Sequence, residues 1–480
     1  MVRVSRIGAM AGAARLALRR LELVTRREHP DTAAALAGRW AELPERVRVP
    51  GQLLGTRTAG CEGTHGVFPR CNLACTPCYH SVEANRVRTD GEHTVAEIDR
   101  QMVYLRSRRG TGQHAQLIGG EVTLLGPAAH ADALAVMQRR GRKPMSMTHG
   151  DFDYDYLREL AIDEHGRLRF RKLRFAGHFD SLMLGRRGAP RPQGEAELNA
   201  ARRRFVGHFE RLRREHGVRF DLAHNMTVTP RNIDQIADVV SDCLELGFGM
   251  LSFQPAARVG NPRRWRDGSQ RIDADRVWRE LERGVGARIA SGPFQMGDSR
   301  CNRSAYGVLV GRRWLPFVDD HDSRDVDAGL EFVERFGGLD FEAPRALVCA
   351  RVLRVLAAHP RSVVTATRWA ARFVRRAGAL SLLRRPVRPL TFVVHSFIDA
   401  ADVIPAWEAT KRGEVATDPR IRAAQERLAA CSYSMAHPDS DELVPACVQH
   451  AVLDPGENAR LAELLPLKRE PSGAAARVPQ

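Results

Sequence analysis

With 480 residues, 43% of them hydrophobic and 27% charged, the chain has apolar material for a large core and, since single cores stop growing near about 250–300 residues, for more than one domain. No apolar run approaches the roughly 18–20 residues that span a bilayer, so the expectation is a soluble protein, at most peripheral to a membrane; nine cysteines, an odd number with three packed closely, argue against a secreted disulfide framework and for a reducing compartment. A formal charge of +17 favours anionic partners, whether nucleic acid, lipid surface or acidic protein, but arginine outnumbers lysine throughout, as a GC-rich genome alone produces, and aromatic residues for base stacking are only 6%, so nucleic acid is not the expected partner.

In chain order, Met1 to Arg20 is rich in small residues and arginine, with Leu16 and Leu18 between Arg15, Arg19 and Arg20. It lacks the apolar stretch and cleavage site of a secretory signal and reads as an amphipathic helix on a cytoplasmic protein. Asp31 is a helix N-cap candidate, with Pro44 and Pro50 closing the segment; residues 1–60 form an expected N-terminal helical extension. From Thr64 short apolar runs alternate with helical stretches, the pattern of βα units on a parallel sheet. The runs are 66–68, 115–121, 144–149, 173–178, 220–227 and 250–255. Thr94–Arg106 and Asn232–Leu246 are intervening helices, the latter with Ile233, Ile236, Val239, Val240, Cys243 and Leu244 on one face. Six repeats predict an α/β fold built on a partial (βα)6 barrel over residues 61–265.

Just after the first run stands Cys71-Asn72-Leu73-Ala74-Cys75-Thr76-Pro77-Cys78, a C-x3-C-x2-C spacing. Three thiolates so close can hold three irons of a [4Fe-4S] cube and leave the fourth open. Structural zinc sites instead pair two close ligands with two distant ones. The spacing resembles the signature of the radical S-adenosylmethionine (SAM) enzymes. That resemblance implies a cluster on Cys71, Cys75 and Cys78 whose open iron chelates SAM, a partial barrel with the site at the strands' C-terminal ends, and a small electron carrier of flavodoxin or ferredoxin type. Gly119-Gly120-Glu121, closing the second run, looks like the family's Gly-Gly-Glu motif, which holds the amino group of SAM. Family members often place an aromatic residue before the third cysteine, near adenine; here Pro77 takes that position and Tyr79 follows it, leaving the adenine contact open.

Later strand ends supply polar candidates for SAM or substrate: Asp180 and Ser181 after the fourth run, Asn225 and Thr227 on the fifth, Gln254 on the sixth. His149 with Asp151, His178 and His224 crowd the same ends. Cys243 reads as a small buried hydrophobe, and Cys61 has no paired spacing.

Residues 266–480 are expected to form an α+β C-terminal domain. Residues 308–317 read as a hairpin round Gly311, followed by helices over Ala343–His359 and Ser362–Leu383. The second carries Trp369, Phe373, Leu380 and Leu383 among six arginines, as a helix lying on a membrane surface would. Cys349 reads as core. The stretch from Leu390 to Ala400, followed by Cys431 to Cys447 with Pro445-Ala446-Cys447, looks like the C-terminal region of the tetraether-lipid-synthase-like branch of the radical SAM superfamily. Two arms round Pro438-Asp439-Ser440-Asp441 bring Cys431 and Cys447 together. The resemblance implies an auxiliary iron–sulfur cluster on Cys431, Cys447 and Cys301, and a lipid or other long apolar substrate. A peptide-modifying maturase and a non-catalytic zinc or nucleic-acid-binding protein are the competing readings.

Overall fold

The structure, a computed structural model, describes residues 19, 21, 22, 24–80, 83–259 and 272–467. Among the described residues thirteen strands appear in chain order: β1 (Cys61–Gly63), β2 (Ala74–Cys75), β3 (Gln113–Leu117), β4 (Arg142–Thr148), β5 (Lys172–His178), β6 (Met183–Leu184), β7 (Arg219–Val228), β8 (Met250–Pro255), β9 (Asn302–Val310), β10 (Arg313–Pro316), β11 (Val387–His395), β12 (Tyr433–His437) and β13 (Glu442–Pro445). Eleven of them make one sheet, ordered β10-β9-β11-β8-β7-β5-β4-β3-β1-β12-β13. From β12 to β11 every neighbour is parallel. Antiparallel pairs close both edges.

Helices at Gly91–Arg109, Pro127–Arg139, Tyr154–Ala161, Asn199–His216, Ile236–Leu246 and Ala274–Val285 follow β1, β3, β4, β5, β7 and β8. These are six βα units, and the mixed α/β fold carries the curled half-barrel sheet that the alternation predicts. The helices lay apolar faces on the sheet. Phe205 and Phe209, both fully buried, pack from helix 199–216, Phe209 against Phe175 of β5 at 5.0 Å; each such ring contributes about 1.5–3 kcal/mol by burial. Cys243 is buried among them, as its helical face requires.

Several local expectations need correction. The first strand is Cys61–Gly63, not 66–68: Val67 and Phe68 are buried, but their backbone has left the sheet to run beside residues 119–121. β1 hides from a hydrophobic pattern because its buried residue is Glu62, 2.7 Å from the equally buried Arg142. The first described full helix, Pro30–Glu42, is capped by His29, whose Nδ1 accepts from the Asp31 N–H, not by Asp31. The expected helix 362–383 is two, Arg361–Ala377 and Ala379–Arg384, broken where Gly378 turns with φ +78°. Cys349 is exposed, because helix Arg345–Ala358 buries little besides Val355.

Residues beyond 272 join both edges of the same sheet, β11 beside β8 and β12 beside β1, and the hairpin round Gly311 is β9–β10. The boundary expected at 265 and the helix expected over Met1–Arg20 lie outside the described residues, Arg19 excepted. Among the described residues, no helix is long and apolar enough to cross a membrane.

Candidate functional site

The cysteine loop is held to the mouth of the half-barrel by backbone bonds. β2 pairs with β6, setting Ala74 against Leu184 and Cys75 against Met183, and the Thr76 N–H donates to Leu182 O at 3.1 Å. Asn85 Oδ1 accepts from the Cys71 N–H at 3.2 Å. Leu73, buried under the loop, turns its N–H towards Cys71 Sγ at 3.4 Å, the kind of contact that tunes a cluster sulfur. All three cysteines are half-buried. Their sulfurs do not gather within 4.8 Å of one another, as ligands of one ion do.

Gly119-Gly120-Glu121 lies just beyond β3 and clamps the segment entering this loop. The Gly120 N–H donates to Phe68 O at 2.7 Å and the Glu121 N–H to Arg70 O at 2.8 Å. A Cβ on Gly120 would stand 2.0 Å from Arg70 O, and one on Gly119 would stand 2.7 Å from the Phe68 ring. Close passage of this chain, rather than of a ligand, therefore explains both glycines. The Glu121 carboxylate is buried and turned inward: Oε1 accepts from Thr123 N and Oγ1 and from Thr148 Oγ1, Oε2 from the His149 N–H at 2.8 Å.

His149 joins these two motifs. Its Nδ1 accepts from the Asp151 N–H at 3.0 Å, so its proton sits on Nε2, which donates to Asn72 Oδ1 at 2.8 Å. Burial lowers its pKa more than the nearby Glu121 raises it, and the neutral ring braces the loop. Arg186, wholly buried, donates to His149 O at 2.7 Å and His178 O at 3.1 Å. It stacks 4.8 Å from the Phe179 centroid and stands in the field of Cys75. Neither Asn72 nor Arg186 was singled out from the sequence; one arginine among many carries no local signal.

The other strand-end candidates divide. Asp180 is buried and fully engaged: Oδ2 accepts from His178 Nε2 at 2.6 Å and the Thr227 N–H at 3.0 Å, Oδ1 from the Leu182 N–H. Burial would raise its carboxyl, but those partners outweigh it and hold the pKa below the usual range. Register sets His178 beside Asn225 and Asn225 beside Ser252, so Asn225, Gln254, Ser181 and Thr227 share one end of the sheet. Ser181 and Gln254 are half-buried, and Gln254 Nε2 donates to Ser252 Oγ at 3.3 Å. His224 is structural: its Nε2 accepts from Arg202 Nε at 3.1 Å and its ring stacks on Phe179.

Tyr79 is half-buried against the loop, its hydroxyl donating to Gly119 O at 3.1 Å. His80 Nε2 donates to the same carbonyl at 2.5 Å. The Tyr79 ring lies 4.4 Å from that of His450, so the C-terminal segment backs the cysteine loop.

A second group of cysteines comes close enough to feel one another's fields. Cys61 opens β1 opposite Tyr433; Cys301, Cys431 and Cys447 precede β9, precede β12 and follow β13. Burial raises the thiol pKa of both Cys61 and Cys447, helped next by the field of Glu62 at Cys61 and by that of Cys431 at Cys447. For Cys301 burial again dominates, pushing it up to about 11 against the opposing field of Arg427. Cys61 is the member that spacing alone missed, because the sheet rather than the chain brings it here.

No protein-family model matches the chain, nor does any curated protein. Solved structures align with parts of it. Streptococcus suis SuiB does so at 14% identity over 45% of this chain and 42% of that one, TM-score 0.29. anSMEcpe with bound AdoMet aligns at 11% over 64% and 99%, TM-score 0.31. Escherichia coli coproporphyrinogen III oxidase (HemN), described as a radical SAM enzyme, aligns at 16% over 53% and 54%, TM-score 0.30. The aligned parts span less than half of SuiB and about half of HemN.

Proposed function

We propose that this chain is a radical SAM enzyme. The observation that carries the reading is the pinned loop of Cys71, Cys75 and Cys78 at the mouth of a parallel half-barrel. Its donor set suits the group: three soft thiols on one loop, with an N–H turned to one sulfur and a buried guanidinium alongside. When bound, the cluster and SAM supply reductive cleavage to methionine and a 5′-deoxyadenosyl radical able to take hydrogen from an unactivated C–H bond.

The chain's own residues do the positioning. Gly119, Gly120 and Glu121 form the wall that faces the SAM amino group, and His149 holds that wall in place. Ser181, Asn225 and Gln254 face the same strand ends and serve ribose, adenine or substrate. Arg186 compensates negative charge at Cys75 and, being buried, excludes water behind the loop.

The reading extends to an auxiliary cluster on Cys301, Cys431 and Cys447, supported by their convergence, and to a flavodoxin- or ferredoxin-type reductant, for which a basic surface is complementary. A lipid or other long apolar substrate is supported by helices 361–377 and 379–384, where Val363, Val364, Val374, Leu380 and Leu383 are exposed among arginines.

Anaerobic reconstitution with iron and sulfide, then reduction with SAM present, tests the core of the proposal. The expected result is a brown protein that releases 5′-deoxyadenosine. A colourless, zinc-loaded protein without SAM cleavage overturns it.

A further inference from the structure

His65, His437 and Glu457 bring one ligand atom each within 4.8 Å of one another, outside every group discussed so far. Parallel pairing explains how the two rings meet. Cys61 is opposite Tyr433 and Gly63 opposite Met435, so His65 and His437 stand at equivalent positions where β1 and β12 run out, and their rings stack at 4.0 Å. Glu457, on helix Asp454–Leu464, reaches both: Oε2 is 3.0 Å from His65 Nδ1 and Oε1 is 3.7 Å from His437 Nδ1. All three side chains are 12–14% exposed.

The surrounding bonds dictate which nitrogens carry protons. Ala436 O, 2.7 Å from His65 Nε2, can only accept, so that nitrogen donates. Gln449 Nε2 donates to Asp454 Oδ1 at 2.8 Å and Glu457 Oε2 at 2.9 Å. Its Oε1 must therefore accept from His437 Nε2, at 2.6 Å. In the neutral rings both Nδ1 lone pairs then converge on the carboxylate. That arrangement is relieved either by a proton on His65 Nδ1, which the Glu457 carboxylate favours, or by a cation lying between the ligand atoms. Imidazoles that donate their far N–H to a carbonyl are also how histidine ligands are oriented at metal centres. With metal–ligand bonds of about 2.0–2.2 Å, ligand atoms lie about 3–3.5 Å apart, close to the separations seen.

We propose that His65 Nδ1, His437 Nδ1 and Glu457 bind one divalent first-row transition cation. Two imidazoles and a carboxylate suit zinc, manganese, iron, cobalt or nickel, whereas all-oxygen sites select calcium or magnesium and thiolates select clusters. The cation acts as a latch. It fastens helix 454–464 to the β1–β12 edge, and the same helix holds His450 through Asp454 Oδ2 at 2.7 Å, with His450 against Tyr79 behind the cysteine loop. Gln449, which orients two of the three ligands, opens a five-residue π-helical segment, a conformation concentrated at functional sites. The proposal does not rest on the cluster reading.

The test is titration of chelator-treated full-length protein with Co2+ under anaerobic conditions. One equivalent is expected to bind with weak ligand-field bands and no thiolate-to-cobalt charge transfer, in the parent and in Cys75→Ala alike. Affinity should fall by more than about tenfold in His437→Gln and in Glu457→Gln. Unchanged affinity in both, or no binding to folded parent, overturns the site. X-ray absorption of parent protein loaded with one equivalent of Zn2+ needs no variant: two imidazoles and oxygen support the proposal, and a sulfur shell overturns it.

Discussion

The loop of Cys71, Cys75 and Cys78 lies within one eight-residue stretch, half-buried and fastened through its backbone, whereas Cys61, Cys301, Cys431 and Cys447 come from four segments that the fold brings near one another, Cys447 buried and the other three half-buried. In the second group Cys431 Sγ donates to Tyr433 O at 3.0 Å and Cys301 Sγ accepts from Arg427 Nε at 3.2 Å. Burial pushes the Cys61 and Cys301 thiols up to about 11. Metal ligation requires the thiolate. On the proposed reading, a cluster on the second group would have to displace thiol protons and the Arg427 bond to Cys301.

The largest effect that separates the groups is expected from Cys75→Ala, which should take SAM cleavage to background and remove the loop's share of iron, measured by 5′-deoxyadenosine release and iron content. Gly120→Ala keeps every thiol but drives a Cβ into Arg70 O. It should cost about 1–3 kcal/mol in chemical denaturation, in the range of overpacked sites, and lower iron retention on the loop alone. Cys431→Ser with Cys447→Ser should lower iron per chain while SAM cleavage persists. Unchanged iron in that variant would remove the auxiliary cluster.

An effect on stability alone is expected at Asp180, which belongs to neither group but supports β6 through Leu182. Asp180→Asn should cost about 1–3 kcal/mol at pH 7, as for other buried hydrogen bonds to a charged group. Because the folded pKa is depressed, the wild-type advantage is present above the unfolded value near about 4 and disappears as pH falls through the lower folded value. Denaturation of both proteins at pH 7 and in acid checks this; a constant difference would contradict it.

The comparison also shows what a linear pattern carries. Six βα units were legible because apolar runs and helical faces recur in order, and the loop cysteines because a local spacing needs no fold to bring it together. β1 was misplaced because its buried residue is Glu62, paired with Arg142 from β4, while the apolar Val67 and Phe68 serve a segment outside the sheet. Glu121 was legible as a motif, but its inward turn depends on Thr148 and His149 from the next strand. Cys61, Arg186 and the His65–His437 pair carry no spacing at all. Their partners lie hundreds of residues away or across a turn, and sheet register alone assembles them.

Electron paramagnetic resonance of the reduced, reconstituted protein, with and without SAM, tests the central claim most directly. A cluster held by Cys71, Cys75 and Cys78 with one open iron predicts a signal that SAM shifts, in the parent and in Cys431→Ser/Cys447→Ser, and that Cys75→Ala lacks. A reduced-cluster signal that SAM leaves unmoved, or one that survives unchanged in Cys75→Ala, would contradict it.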